Sequence, residues 1–191
     1  YSQKKEATHL KLFAFDTNGV QKTVQLVCPE MKQELIDQHL PWLKNEFEST
    51  DKEEKQTDKS YWRILMAHHP TRTCGLYHGK LGDKLASAPF RLERVLEKGK
   101  VDVYITGHEH VAQTFSQKST THVVCGNSGG EYHGFFGGPV LERFDRADFV
   151  DDTNGKVFGF CIFLVSNKTI RIEFVDASTN KIFHSITKTK N

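Results

Sequence analysis

The sequence has no long hydrophobic run and little excess charge, and each shortage excludes a class of protein. No apolar stretch approaches the roughly 20 residues that span a bilayer, so we predict no transmembrane segment in this chain. Lysine and arginine number 26 against 24 acidic residues, with no basic block on any one element, which argues against nucleic acid as a partner. The remaining composition, 37% hydrophobic and 26% charged, is typical of a globular domain with its own core.

Cysteine is also scarce. The four residues, Cys28, Cys74, Cys125 and Cys161, form no Cys-x-x-Cys pair, which disfavours a zinc ribbon. Cys125 and Cys161 lie within apolar, strand-like runs of the sequence. We therefore predict that these two are buried thiols of the core.

What the sequence does contain is a short apolar run that ends in two closely spaced histidines. Residues 101–110 read Val-Asp-Val-Tyr-Ile-Thr-Gly-His-Glu-His, and the Val, Tyr and Ile side chains favour a buried β-strand. Gly107 lets the backbone turn at the end of that strand. His108 and His110 are two residues apart, which in extended backbone places both imidazoles on one face. Because histidine is the commonest metal ligand in proteins, the pair indicates a metal site.

A second histidine site follows the preceding predicted strand. Residues 61–67 (Tyr-Trp-Arg-Ile-Leu-Met-Ala) favour a strand that leads into His68, His69 and Pro70, and proline ends it because it cannot donate to a sheet ladder. A predicted helix separates the two strands, which is the pattern of a β–α–β unit with parallel strands. Ligands gather at the carboxyl ends of such strands. We therefore predict that His68 meets the two later histidines, whereas His69 either supports the ligands without binding metal or packs beside them.

The rest of the chain predicts further strands and helices, with one long charged segment. Residues 9–16 are apolar and aromatic and favour a strand, and residues 29–47 favour an amphipathic helix. Pro41 either kinks that helix or begins a second one. Residues 48–60 carry eight charged residues out of thirteen, so we predict a solvated surface loop there. Residues 157–186 alternate in polarity around two short polar turns, which is typical of a β-meander.

Two other features receive no role in the site. His122 and His184 are predicted to lie on the surface or in turns. The triplet Asn167-Lys168-Thr169 is a glycosylation sequon in a predicted turn, although such triplets often arise by chance.

The histidine motifs resemble those of the calcineurin-like metallophosphoesterases, and within that family those of the purple acid phosphatases. The family pattern Gly-His-x-Pro is similar to residues 67–70 (Ala-His-His-Pro), and Val-Asp-x-Tyr-x-x-Gly-His-x-His is similar to residues 101–110. Weaker matches occur in the family's order at residues 13–17, 40–43 and 125–130. Together, these matches in the same order are specific for the family, whereas a single Gly-His-x-His motif would be a weak signal.

The resemblance implies a fold, a metal centre and an activity. The fold would be an α/β metallophosphoesterase β-sandwich of the αββα type flanked by helices, with residues 1–191 as the carboxy-terminal portion of a single domain. The site would hold two metal ions, iron paired with iron, zinc or manganese, with His68 and His108 at one ion or bridging towards it, and His110 at the other. His78 falls near the family's substrate-facing histidine, where it would donate a proton to the leaving group of a phosphate monoester.

The resemblance also implies a compartment and a covalent link. The purple acid phosphatases point to the secretory pathway, the lysosome or the extracellular space. Cys28 and Cys74 lie close to disulfide-bearing regions of the family, so a Cys28–Cys74 bridge is a further hypothesis.

One part of the family pattern is missing. The amino-terminal motifs Asp-x-x, Gly-Asp-x-x-Tyr and Gly-Asn-His-Asp, which supply the carboxylates, asparagine and tyrosine of the centre, do not precede Tyr1. Three imidazoles alone hold two hard ions poorly, because such ions prefer carboxylate ligands. We therefore expect a second chain or another segment to supply those motifs. The alternatives are a catalytically inactive phosphatase-like scaffold, as in a motor-anchoring protein of apicomplexan parasites with the same fold, and a zinc module of three histidines.

Overall fold

Two β-sheets and a layer of helices form the part of the chain that the structure describes. The structure is a computed structural model, and it describes residues 7–20, 28–75, 92–130, 147–151 and 156–190. The strands are β1 (Leu10–Ala14), β2 (Trp62–Met66), β3 (Val103–Thr106), β4 (Ala112–Gln117), β5 (Thr120–Cys125), β6 (Phe149–Val150), β7 (Gly159–Val165), β8 (Thr169–Asp176) and β9 (Ile182–Thr189). The helical elements are a 3₁₀ turn (Asn18–Val20), α1 (Pro29–Glu34), a π-helical segment (Leu35–His39), α2 (Leu40–Thr57) and α3 (Leu92–Lys98).

The larger sheet has six strands in the order β1-β2-β3-β5-β4-β6. Its first four strands run parallel, and β4 and β6 pair antiparallel at the other side. The predicted β–α–β unit is confirmed, since β2 and β3 are parallel neighbours, with Ile64 opposite Val103, and α3 lies between them in sequence. The carboxyl ends of β2 and β3 therefore lie side by side, and each leads into one of the histidine motifs.

The two faces of this sheet pack against different layers. The helices cover one face, and their shared core contains Phe13, Leu43, Phe47, Leu65, Leu96 and Tyr104. The smaller antiparallel sheet, β7-β8-β9, covers the other face, and its core contains Trp62, Ile64, Val103, Val123, Ile170, Ile172 and Phe174. Burial on both faces explains why the first four residues of β2 are all buried instead of alternating between buried and exposed. The sandwich with flanking helices and the closing β-meander that the sequence predicts are confirmed.

The prediction of a surface loop over residues 48–60 is wrong, because α2 continues to Thr57. Its acidic residues on one side pair with the sheet: Asp51 and Glu54 lie 2.6 and 2.7 Å from the buried Arg63 guanidinium. From composition alone these charged side chains are expected to be solvated, but Asp51 and Glu54 instead form ion pairs with Arg63 on β2. Pro41 does not begin a separate helix, because the backbone is helical without a break from Pro29 to Thr57 and Pro41 closely follows the π-helical segment Leu35–His39.

Both cysteine predictions are wrong. Cys125 and Cys161 form a disulfide with their Cα atoms 6.3 Å apart, so they are not core thiols. Neither Cys28 nor Cys74 forms a disulfide, so the Cys28–Cys74 bridge is absent from the described structure. Cys125 ends β5 in the large sheet and Cys161 lies in β7 of the small one. The bond thus crosses the interface between the sheets, which is a tertiary relationship that the spacing in sequence does not contain.

No helix in the ranges given above is long and apolar enough to cross a bilayer.

Candidate metal site

Three histidines come together where β2 and β3 end. One ligand nitrogen from each of His68, His69 and His108 lies within 4.8 Å of the others. Nδ1 of His108 is 3.0 Å from Nε2 of His68. Backbone hydrogen bonds hold the two loops in register, since Ala67 N–H donates to the Ile105 carbonyl and Gly107 N–H to the His68 carbonyl. The convergence of His68 and His108 therefore follows directly from the pairing of their strands.

His69 is the member of this group that the sequence did not assign as a ligand, but as a supporting or packing residue. Its ring is 3% exposed, and Nδ1 lies 2.8 Å from the Thr17 hydroxyl oxygen, which also accepts a hydrogen bond from the His69 backbone N–H. The Tyr104 hydroxyl donates to the His69 carbonyl at 2.7 Å. If Nδ1 carries the proton and donates to Thr17, Nε2 presents a lone pair, which is how metal-bound histidines are usually oriented. Thr17 belongs to a segment that the sequence had matched to the family, and this was the available signal.

The backbone of His108 is in the left-handed region, with φ of 67°. This conformation is uncommon for residues other than glycine, and such residues cluster at functional sites because the surrounding structure must hold them there. The adjoining Gly107 does not have a positive φ, so the turn off β3 is made by the histidine rather than by the glycine that the sequence suggested.

Glu109 lies completely buried between His108 and His110 in sequence. A Cβ placed on Gly75 would overlap the Glu109 carboxyl group, so that carboxyl group packs directly on the backbone of residue 75. Gly75 thus matters for the position of the histidine loop, and nothing in the sequence marked it out. Position 75 requires glycine, because a side chain there would occupy the space of the Glu109 carboxyl group.

His110 is not a member of the three-histidine group. Its ring lies against Gly130, where a Cβ would come within 2.6 Å of Nδ1. The loop after β5 also packs directly on the backbone of the histidine loop, because a Cβ on Gly126 would overlap the Glu109 carbonyl oxygen. The second metal position that the resemblance assigns to His110 therefore stays a prediction. The predicted proton donor, His78, lies outside the described residues.

The donor set fits one metal ion. Nitrogens bound at 2.0–2.1 Å to a tetrahedral ion lie roughly 3.3 Å from one another, close to the separation between His68 and His108. Three imidazoles with an open fourth position form a common ligand set of catalytic zinc. Within the ranges that the structure describes, the group contains no carboxylate, so it supplies none of the oxygen ligands that a second, harder ion prefers.

Of two histidines that the sequence placed on the surface or in turns, His122 is buried and His184 is half-buried. His122, on β5, is 3% exposed, and its ring packs edge-on against Tyr104 with Nδ1 3.3 Å from the Thr71 hydroxyl. Burial lowers the pKa of His122 to about 4, with a smaller contribution from the Arg72 charge. His184 stacks on Phe149 with ring centroids 3.7 Å apart, and burial lowers its pKa as well. The surface prediction failed because it ignored strand pairing.

Comparison with solved structures gives the same fold. Solved structures with a similar fold include GAP50, the anchor in the inner membrane complex of Plasmodium, with a TM-score of 0.68 and 16% identity over 100% of this chain and 52% of that one. Purple acid phosphatase PPD1 from yellow lupin (Lupinus luteus) seeds gives a TM-score of 0.61 and 20% identity over 81% of this chain and 28% of that one. At these identities the likeness shows the fold alone.

Sequence comparison adds a curated relative and a family. Purple acid phosphatase 4 of Arabidopsis thaliana is 27% identical over 123 residues, which is 63% of this chain and 33% of that protein. The chain therefore spans about a third of the curated relative. The family model for calcineurin-like phosphoesterases matches residues 10–112, more than half of the sequence, and includes both histidine motifs. This chain accordingly belongs to the calcineurin-like phosphoesterase family.

Proposed function

We propose that this chain supplies metal-binding histidines to a site that hydrolyses phosphate monoesters. The observation that carries the proposal is the convergence of His68 and His108 at the ends of paired parallel strands, in a chain of a phosphoesterase family. Family membership supports divalent metal ions and phosphoester chemistry. The acid phosphatase type and a metal pair of iron with iron, zinc or manganese follow from the motifs shared with the purple acid phosphatases.

Each histidine has a proposed role. His68 and His108, joined by His69, hold one ion, and His110 serves the second ion together with carboxylates from another segment or a second chain. When bound, the metal ions act as Lewis acids that polarise the phosphoryl group and neutralise charge on the leaving oxygen. Thr17 keeps the His69 ring in one orientation through its hydroxyl. His78 donates a proton to the leaving group, a role for which an imidazole is suited because its pKa lies near neutral pH.

The test measures metal content and turnover in the complete natural protein. We expect bound metal and hydrolysis of 4-nitrophenyl phosphate, with both lost in His68→Ala and in His108→Ala. His9→Gln is the matched control, because His9 precedes β1 and packs on Tyr61, at the end of the sheet opposite the site. Full turnover after loss of the His68–His108 pair would rule the site out. His78→Ala should lower turnover while metal content stays unchanged.

An inactive scaffold is the second candidate. One observation favours it: the described group offers imidazoles and no carboxylate, so this chain alone provides an incomplete binuclear site. A correctly folded protein that contains neither metal nor phosphatase activity, with its other chains present, would support the scaffold over the enzyme. Likeness to the Plasmodium anchor is a likeness of fold and does not itself decide between them.

We also propose that the protein works in an oxidising compartment, such as the secretory pathway, the lysosome or the extracellular space. The Cys125–Cys161 disulfide supports this, since disulfides persist in such compartments and are rare in the cytosol. Recovery of the protein with both cysteines alkylated under non-reducing conditions would contradict it.

A further inference from the structure

We propose that Asn167 is an N-glycosylation site. The triplet Asn167-Lys168-Thr169 is the one Asn-x-Ser/Thr sequence in the chain. It occupies the turn between β7, which ends at Val165, and β8, which begins at Thr169. Lys168 is exposed, and Asn167 and Thr169 are half-buried, so the motif lies on a hairpin turn from which a glycan can project into solvent.

The turn is closed by residues on either side of Asn167. Ser166 N–H donates to the Thr169 carbonyl at 2.8 Å, and the Ser166 hydroxyl oxygen accepts from Thr169 N–H at 2.9 Å. A substituent on the Asn167 amide leaves these hydrogen bonds in place. Asn167 also lines a surface cavity of about 390 Å³ with Asp58, Lys168 and Lys190. That volume lies within the range of pockets that hold small organic ligands, so the first sugar has space beside the turn.

The disulfide is an independent observation that points to the same compartment. N-glycosylation of Asn-x-Ser/Thr is a modification of secreted proteins. The Cys125–Cys161 bond indicates that the chain folds where disulfides form. In the oxidising compartment proposed above, the sequon would meet the glycosylation machinery.

The modification is a transfer from a lipid-linked oligosaccharide diphosphate. The Asn167 amide nitrogen attacks the first sugar carbon of the donor, a carbon–nitrogen bond forms, and the bond from that carbon to the diphosphate oxygen breaks. The lipid diphosphate leaves, and the amide proton passes to a base of the transferase. No oxidant or reductant is needed.

The glycan would be remote from the histidine site. The Trp62 indole N–H donates to the Ser166 carbonyl at 2.6 Å, which fixes the turn at the amino end of β2. His68 follows the carboxyl end of the same strand, roughly 20 Å away at about 3.3 Å per residue. Enzymatic removal of the glycan should therefore leave metal content and turnover unchanged.

The test expresses the complete protein through the secretory pathway of a eukaryotic cell. Treatment with peptide-N-glycosidase should increase gel mobility and convert Asn167 to Asp in the peptide map. Asn167→Gln and Thr169→Ala should remove the shift, whereas Thr169→Ser should retain it. Secreted protein in which Asn167 is an unmodified asparagine would overturn the proposal, whatever the outcome of the phosphatase assays.

The chain offers a matched control in its next hairpin. Asn180-Lys181-Ile182 lies at the turn before β9 and has the same first two residue types, but it lacks the hydroxyl residue. Asn180→Gln should therefore change nothing. Ile182 is 48% exposed, so Ile182→Thr installs a second sequon and should add a second glycan. If the Ile182→Thr variant carried a glycan at Asn180 and none at Asn167, the glycosylation machinery would be shown to be active on this protein but not at the proposed site. That result would overturn the proposal.

Discussion

Nδ1 of His108 lies 3.0 Å from Nε2 of His68, although 40 residues separate the two in sequence. Neither histidine is positioned by its own segment alone. The pairing of β2 with β3 sets the distance between them, and the left-handed backbone at residue 108 sets the direction of the second ring. The candidate site is therefore a product of tertiary structure, and its properties should respond to changes in backbone as well as in ligands.

Glycine substitutions at His68 and His108 should have different effects on the free energy of unfolding. At position 108 glycine relieves a left-handed conformation, whereas at position 68 the backbone φ is not positive and glycine only adds freedom to the unfolded chain. We expect His68→Gly to lower the free energy of unfolding of metal-free protein by about 1 kcal/mol more than His108→Gly. Both should abolish metal binding. Urea denaturation with a chelator measures the difference, and equal losses of stability would contradict the strain at His108.

A pair of glycine-to-alanine changes tests the packing beneath the histidine loop. Gly75→Ala places a methyl group on the buried Glu109 carboxyl group and should cost roughly 1–3 kcal/mol of stability, as overpacking does. Gly107→Ala is the control, since its Cβ would meet nothing within 4 Å and its φ is not positive. We expect that variant to change stability by less than about 0.5 kcal/mol. Thermal unfolding and metal affinity should both distinguish the two, and a tolerated Gly75→Ala would contradict the close approach.

Buried His122 should make the fold sensitive to acid. Its folded pKa of about 4 lies below the ordinary 6.5, so the unfolded chain binds a proton that the folded chain rejects between these values. Stability should thus be lost as pH falls from 6.5 towards 4, by about 3 kcal/mol in total, and level off below. His122→Asn should lack this component. Denaturation curves at several pH values, recorded with a chelator to remove any metal contribution, measure this difference. If the stability of wild type and variant depended on pH in the same way, the low pKa assigned to His122 would be wrong.

The disulfide should contribute substantially to stability. Cys125 and Cys161 are 36 residues apart, and closing a loop of that length in the unfolded chain is worth about 4 kcal/mol in the chain-entropy account. We expect the double variant Cys125→Ser with Cys161→Ser to unfold at much lower denaturant concentration, and a reductant to have the same effect on wild type. Cys28→Ser is the control, because Cys28 is free and only half-buried. Loss of stability in the control alone would contradict the assigned pairing.

The sequence predicted those features that depend on local pattern. The apolar run into Gly107, the proline after His69 and the polar turns of the meander specified strands and their ends. The adjacency of β2 and β3 followed from the intervening helix. These predictions succeeded because strand ends and β–α–β connections are determined by neighbours in the chain.

The features that the sequence missed depend on partners far away in the chain. Residues 48–57 form helix, and acids on that helix pair with Arg63 and Lys11, which both lie on strands. His69 joins the site because Thr17, 52 residues earlier, holds its ring. Cys125 meets Cys161 only after two sheets have packed. In each case the decisive contact is tertiary, and no periodicity or composition contains it.

The bond between Cys125 and Cys161 also closes a covalent ring around every peptide bond from residue 126 to residue 160. A protease that cuts once within this ring produces two fragments that remain joined. The nicked protein would migrate as a single species on a non-reducing gel and separate into two bands only after thiol treatment. Cleavage there would leave the two halves of the sandwich tethered to each other, so a processed form could keep its architecture.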